Sequence, residues 1–555
     1  MKRLVTLTLT LVLVAAACSG ASDSNERPGT IAVGTTLAPR APQSGGSTDQ
    51  APDNSSQAAT TLAPSRGTDG LIAEGDAQSR PKGERDDQPL NEQEQSSLYR
   101  ADPRNVTFQD YGENPYVETD EDNLSTFAVD VDTGSYTVMR GYWNQGLTPP
   151  PTSVRPEEYV NFFDAGYEAP SRGVFAVYAD GAPTPFLDYS EDILVRIGIK
   201  GEEIAARSRP NVNLTFVIDT SGSMDQDNRL GLVQDSLAVL LNELGRGDTI
   251  AIVSYNKRAE VVVDPTSADE ARNLQRAIDQ LHPGGSTNAE AGLILGYDLA
   301  EQMYNADEVN KVILLSDGVA NVGETGPGGI FERIEESANN GIDLLTVGVG
   351  LDNYNDVLLE QLADTANGQY RYIDTLDEAN RVFRDDLLGT LVTIARNVKV
   401  QVEFDPDVVR SYRLVGFENR DVADRDFRDD RVDGGEIGAG HSVTALYEVE
   451  LVDRARRDVL GTVFVRWESA NSRDVNEISG DITLDLIADR WDDADPRFRL
   501  AATVAAFAEQ IREGRFARGF DLNDVYDEID AISNELDDPD VSEFREIVRD
   551  FIREF

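Results

Sequence analysis

From about residue 206 to residue 388, short apolar runs rich in β-branched residues alternate with stretches of helical periodicity. No other property of this chain restricts its fold as strongly. The runs at 214–218, 248–255, 309–315, 343–349 and 369–373 have the length and side chains of buried strands. Helical spacing of apolar residues marks 229–244, 268–281, 288–303, 330–339, 356–365 and 376–388. Strands that alternate with helices in this way build a mostly parallel sheet covered on both faces. In such sheets ligands bind beyond the carboxyl ends of the strands, so those ends are where chemistry should be sought.

Three of those places carry oxygen-bearing side chains. The first strand runs into Asp219-Thr220-Ser221-Gly222-Ser223. A glycine-rich loop, Gly284-Gly285-Ser286-Thr287-Asn288, opens a later helix, and the strand at 309–315 ends in Ser316-Asp317-Gly318. A carboxylate beside two hydroxyls offers hard oxygen donors, which suit Mg²⁺ or Mn²⁺ better than zinc or copper. The paired glycines let the backbone bring Thr287 toward Asp317. Alone, Asp-Thr-Ser-Gly-Ser is also what a turn or helix N-cap looks like. Three such pieces in this order, each at a strand end or helix start, point to a metal site.

Asp-x-Ser-x-Ser, then a loop threonine, then a strand-end aspartate resembles the metal-ion-dependent adhesion site of the von Willebrand factor type A (VWA) family. The resemblance implies a doubly wound, Rossmann-like α/β fold over 206–388. It also implies roles: Ser221, Ser223 and Thr287 reach the metal by hydroxyl, while Asp219 and Asp317 act largely through bound water. The ion would be Mg²⁺, or Mn²⁺ or Ca²⁺, with one position left open for an Asp or Glu of a protein partner.

The flanks read differently. A strand at 127–131 leads into the turn Asp132-Thr133-Gly134-Ser135, and helices are expected at 136–145 and 155–163, with a strand at 193–199. After the VWA region, strands are expected at 392–404, 411–416, 442–451, 461–468 and 481–487. Phe498, Ala501, Val504, Ala505, Ala508 and Ile511 then fall on one helical face, and two short helices follow at 525–536 and 542–555. The expected order is a smaller α/β N-terminal region at 105–205, the VWA domain, an antiparallel β unit at 389–490 and a helical segment at 491–555. Both flanks resemble the regions around the VWA domain in a group of bacterial VWA lipoproteins.

Met1-Lys2-Arg3 followed by an apolar run to Ala17 reads as an export signal, too short to span a bilayer. It ends in Ala15-Ala16-Ala17-Cys18, which resembles a bacterial lipoprotein signal with Cys18 as the lipidated residue; this is the chain's one cysteine. The expectation is a lipid-anchored protein of the cell membrane or envelope. Residues 18–104 are rich in Ser, Thr, Pro, Gly and Gln and nearly free of aromatics. Such a stretch buries too little to offset its ordering entropy and reads as a disordered tether, its ends on the order of 50 Å apart.

Charge and missing motifs narrow the function. With 101 acidic and 50 basic residues, the formal net charge is -51, a surface that repels nucleic-acid backbones. The two histidines, His282 and His441, lie far apart in sequence without cysteine partners, so a zinc centre is not expected. Asp132-Thr133-Gly134 matches the aspartic-protease loop, but that chemistry needs a second such loop; a plain turn is expected, with a calcium contact through Asp130 and Asp132 as an alternative. The expected function is binding rather than catalysis. A metal-dependent hydrolase, or a structural envelope protein with an unused site, are the competing classes.

Overall fold

The computed structural model describes residues 29–31, 34–35, 106, 108–187, 192–318, 327–351, 355–452, 458–470 and 472–554. Its first elements are β1 (Gly29–Thr30), β2 (Gly34–Thr35), β3 (Val117–Glu118), β4 (Leu124–Ala128), α1 (Gly134–Asn144), α2 (Pro156–Phe162), β5 (Phe175–Ala182) and β6 (Asp192–Gly201). The alternating segment follows: β7 (Val212–Asp219), α3 (Arg229–Glu243), β8 (Thr249–Tyr255), β9 (Ala259–Ser267), α4 (Ala271–Ile278), α5 (Ala289–Met303), β10 (Val309–Ser316), α6 (Pro327–Asn339), β11 (Asp343–Gly348), α7 (Asp356–Thr365), β12 (Gln369–Tyr372), α8 (Leu376–Asn380) and α9 (Leu387–Leu391). The last part holds β13 (Thr393–Phe404), β14 (Val409–Val415), β15 (Gly435–Gly438), β16 (Ser442–Leu451), β17 (Val459–Ser469), β18 (Val475–Thr483), α10 (Pro496–Ile511), α11 (Leu522–Leu536) and α12 (Pro539–Glu554).

The alternating segment forms a sheet of order β12-β11-β10-β7-β8-β9, parallel except for the edge hairpin β8–β9. Every residue of β7 is buried, because both faces are covered. Leu214, Phe216 and Ile218 share one core with Leu230, Val233 and Leu237 of α3 and with Leu274 and Ile278 of α4. Val217 lies in the opposite core with Leu293 and Tyr297 of α5, Ile334 of α6 and Leu359 of α7. Each such side chain stabilises the fold by roughly 1.5–3 kcal/mol when fully buried. The chain leaves β7 toward β8 on one side and returns to β10 on the other. That reversal opens a crevice at the carboxyl ends of β7 and β10, where Asp219 and Asp317 stand.

The flanking regions interleave. Strands β5 and β6 pair with each other, and β6 pairs along its length with β16 from the far end of the chain. The resulting antiparallel sheet has the order β1-β5-β6-β16-β14-β3, and a second has the order β15-β13-β17-β18-β2 with β4 on β13. Segments 105–205 and 389–490, separate in sequence, thus supply strands to the same sheets. A second shared layer is aromatic: Tyr136, Tyr159, Phe162 and Phe163 pack with Phe507 and Phe544 of the C-terminal helices. Helix α1 reaches further still, with Val138 and Tyr142 inside the core of the alternating domain. A Cβ on Gly134 would run into the Tyr370 ring.

Several expectations change. Within the stretch read as a tether, Gly29–Thr30 pairs with Tyr178 and Ala179, and Gly34–Thr35 pairs with Ile478 and Ser479, with Ile31 buried between them. A free sheet edge recruits backbone groups, which composition does not report. Helix 376–388 is broken into α8, a π-helical turn over 381–385, and α9. The re-phasing keeps Ala379, Val382, Phe383, Leu387 and Leu391 all in the core. The strand expected at 481–487 is β18, which starts six residues earlier. Its polar start is hidden by pairing, since Glu477 takes Arg428 and Arg466. Among the described residues no helix is long and apolar enough to cross a membrane.

Candidate metal centre

Asp219 is the last residue of β7 and is fully buried. Its Oδ1 accepts the Ser221 backbone N–H at 2.7 Å, and its Oδ2 accepts the Ser316 hydroxyl at 3.0 Å. Ser221 Oγ lies 3.0 Å from Ser223 Oγ, which donates to Asp317 Oδ1 at 3.1 Å. One continuous set of hydrogen bonds therefore joins Asp219, Ser221, Ser223 and Asp317 across the crevice. The glycine loop docks on the same turn. Gly284 N–H donates to the Thr220 carbonyl at 2.8 Å, and Gly222 N–H donates to the Gly285 carbonyl at 3.0 Å. Gly285 has φ +88, a left-handed conformation that favours glycine. Thr287 lies two residues further, half-buried, just ahead of the N-cap Asn288, whose Oδ1 accepts the Ala291 N–H at 3.1 Å.

The charges here are incompletely balanced. Burial, and then the neighbouring Asp317, push the Asp219 carboxyl up to about 6. Burial also raises Asp317, against the opposing pull of Ser223 and Arg229. Arg229, the first residue of α3, directs Nη1 to Asp317 Oδ2 at 2.8 Å, and both side chains are almost wholly buried. Sequence reasoning did not single out this arginine. The signal was available: a cation at a helix N-terminus opposes the helix dipole and calls for an acidic partner.

The donor set fits a divalent cation. Two buried carboxylates and neighbouring hydroxyls provide hard oxygens, with the Arg229 guanidinium on Asp317. Among the described residues no three His, Cys, Asp or Glu side chains gather into a metal-binding group; this centre instead combines carboxylates with hydroxyls. His282 is exposed, and His441 Nε2 lies 2.7 Å from Asp386 Oδ2. Cys18 and the signal at 1–17 lie outside the described residues.

The turn at Asp132 has a structural partner. Its Oδ1 accepts the Tyr370 backbone N–H at 3.1 Å, on the edge strand β12, and Arg371 Nη1 at 3.3 Å. Asp130 pairs with Arg420 at 2.9 Å. Both acids belong to a seam between the alternating domain and its flanks. Across it, Arg155 binds Glu158 and reaches Asp356 at 2.9 Å, and Arg420 reaches Asp364 at 3.0 Å.

Comparison with known proteins finds three family models along the chain. Residues 213–385 match the von Willebrand factor type A domain, 102–195 match a model described as von Willebrand factor, and 389–552 match one described as "Uncharacterized protein YfbK, C-terminal". The chain is 35% identical to "Uncharacterized protein YfbK" of Escherichia coli (strain K12), over 75% of this chain and 76% of that one. It is 30% identical to inter-alpha-trypsin inhibitor heavy chain H4 of Sus scrofa, over 25% of this chain and 16% of that one. A solved structure, von Willebrand factor type A from Catenulispora acidiphila, is similar at 18% identity and a TM-score of 0.40, covering 67% of this chain and 89% of its own.

Proposed function

The chain belongs to the group of bacterial proteins built on a VWA domain with a YfbK-type C-terminal region, and from that premise we propose that it binds a protein partner through a divalent cation at Asp219, Ser221, Ser223, Thr287 and Asp317. What supports this most is the hydrogen-bonded set that links two buried, under-compensated carboxylates through two serine hydroxyls at the sheet's reversal point. Mg²⁺, when bound, would supply an electrophilic centre able to accept a carboxylate oxygen from outside the chain. Ser221, Ser223 and Thr287 would hold it through neutral oxygens, which leaves its charge largely unspent. Asp219 and Asp317 would balance that charge from behind, with Ser316 fixing the orientation of Asp219.

The protein works in this reading as a binding device rather than an enzyme. Export and lipidation at Cys18 would place it on the cell envelope. The test is capture of partners from envelope extract by the full chain, with and without EDTA, compared with Asp219→Ala. Capture that needs the metal and disappears in the variant is the expected result. Equal capture by Asp219→Ala would remove the site from the function, and turnover of a substrate would replace binding with hydrolysis.

A further inference from the structure

We propose that Lys257 and Arg258, at the tip of the β8–β9 hairpin, form a second contact beside the metal crevice: they bind a further acidic side chain of the same partner segment, so that the occupant is an extended peptide with two acids rather than one. This rests on the metal reading above and narrows the partner it calls for.

Strand β8 lies next to β7, and its last residue, Tyr255, is paired in register with Asp219. The hairpin turn at 256–258 therefore rises past the carboxyl edge of the sheet, alongside the metal turn. Hydrogen bonds tie the two together. The Tyr255 carbonyl accepts the Thr220 N–H at 2.8 Å and the Thr220 hydroxyl at 3.0 Å. The glycine loop lies against the tip as well, since a Cβ on Gly285 would stand 3.6 Å from Asn256. The turn also closes on itself: Asn256 N–H donates to the Arg258 carbonyl at 3.0 Å, and Asn256 Oδ1 accepts the Arg258 N–H at 3.3 Å. These bonds fix where the two basic side chains start.

Lys257 and Arg258 are both exposed, and neither forms an ion pair among the described residues. In a chain with 101 acidic and 50 basic residues that is a departure, because arginines such as Arg155, Arg371 and Arg420 are taken up by acids of the fold. Asp225 and Asp227, exposed on the turn that follows Ser223, carry the opposite sign, so an acidic segment is steered to the hairpin side of the crevice. Neighbouring strands lie roughly 4.8 Å apart and a strand advances about 3.3 Å per residue, which puts the tip on the order of 10 Å from the metal turn. An extended segment covers that span in about three residues, so its two acids, on one face, stand about two or four positions apart. One gives its oxygen to the ion and the other meets the hairpin.

The experiment uses the full chain loaded with Mn²⁺ and two dye-labelled peptides, one with the core Asp-Thr-Gly-Thr-Asp and one with Asp-Thr-Gly-Thr-Asn, read by fluorescence anisotropy at low salt. Wild type should bind the two-acid peptide about fivefold more tightly, and 0.5 M NaCl should erase most of that margin, as for exposed charges. The double variant Lys257→Glu/Arg258→Glu should bind both peptides alike or favour the one-acid peptide. Arg207→Glu, a change of the same sign ahead of β7 at the other end of the sheet, should keep the margin. If the double variant does not fold, Lys257→Ala alone should cut the margin to about twofold. An intact margin in the hairpin variants, or none in wild type, overturns the inference, while Mn²⁺ binding measured by calorimetry leaves the metal site standing. Absence of Mn²⁺ binding, or binding undiminished in Asp219→Ala, overturns the metal reading and the two-acid partner with it.

Discussion

Two buried groups of carboxylates in this molecule look alike in composition and differ in what is set beside them. At the seam, Asp130, Asp132, Glu158 and Asp356 face Arg155, Arg371 and Arg420. Burial alone would raise Asp130, yet Arg420 and the Asp132 N–H hold it below the usual carboxylate range. At the crevice, Arg229 pairs with Asp317, and Asp219 is pushed up to about 6 by burial and then by Asp317. Each acid named at the seam reaches an arginine, although burial still raises Asp132 and Glu158. The crevice instead sets its carboxylates beside two serine hydroxyls, the hard-oxygen set that a divalent cation takes. Burial of acids therefore does not mark a site; the neutral oxygens set beside them do.

The contrast can be broken most sharply at the seam. Arg420→Ala strips Asp130 and Asp364 of their partner, and urea denaturation should register a loss of about 3–5 kcal/mol. A loss below 1 kcal/mol would mean that Arg420 does not hold the seam together. Glu157 is the seam's own exception, with neither carboxylate oxygen meeting a donor from another residue. Burial, then Glu418, push it up to about 8. The folded chain thus keeps a proton that the unfolded chain loses at ordinary carboxylate pH. Its contribution to stability should be fully present below about pH 4.5 and decline as the pH rises toward 8. Glu157→Gln should flatten that decline and gain on the order of 2 kcal/mol at pH 8, read from denaturation at several pH values.

The crevice should respond in the other direction. Asp219→Asn removes a charge that has no full counterpart, so thermal stability without metal should stay within about 1 kcal/mol of wild type, or rise. On the side of binding, Thr287→Ala should leave folding intact and weaken Mn²⁺ about tenfold, roughly 1.4 kcal/mol, since one neutral oxygen is lost. Unchanged Mn²⁺ binding would take Thr287 out of the set.

Residues of the crevice were legible in the sequence because their chemistry sits at strand ends, where periodicity stops and polar residues begin. The sheet itself was legible for a related reason, as β7 and β10 carry unbroken apolar runs at 216–218 and 312–315. What periodicity could not convey was pairing over long distances. Strand β5 was not anticipated, although Phe175 to Ala182 is mostly buried, because Asp180 interrupts its apolar pattern and takes its partner, Arg196, from the neighbouring strand. Asp132 read as an idle turn until β12 supplied the edge N–H that it accepts. Arg229 read as the start of a helix because its partner lies 88 positions away. In each case a polar side chain was explained by a group that only the fold brings near.

The paired segments near the start of the chain carry a mechanical consequence. Gly29–Thr30 pairs at the edge of one sheet and Gly34–Thr35 at the edge of another, and only ten residues lie between Cys18 and Gly29, a leash of about 40 Å at full stretch. A molecule held at Cys18 would ride close to its support, and a pull on whatever it grips would load backbone hydrogen bonds at two sheet edges. The first thing to yield under traction would be those two short pairings.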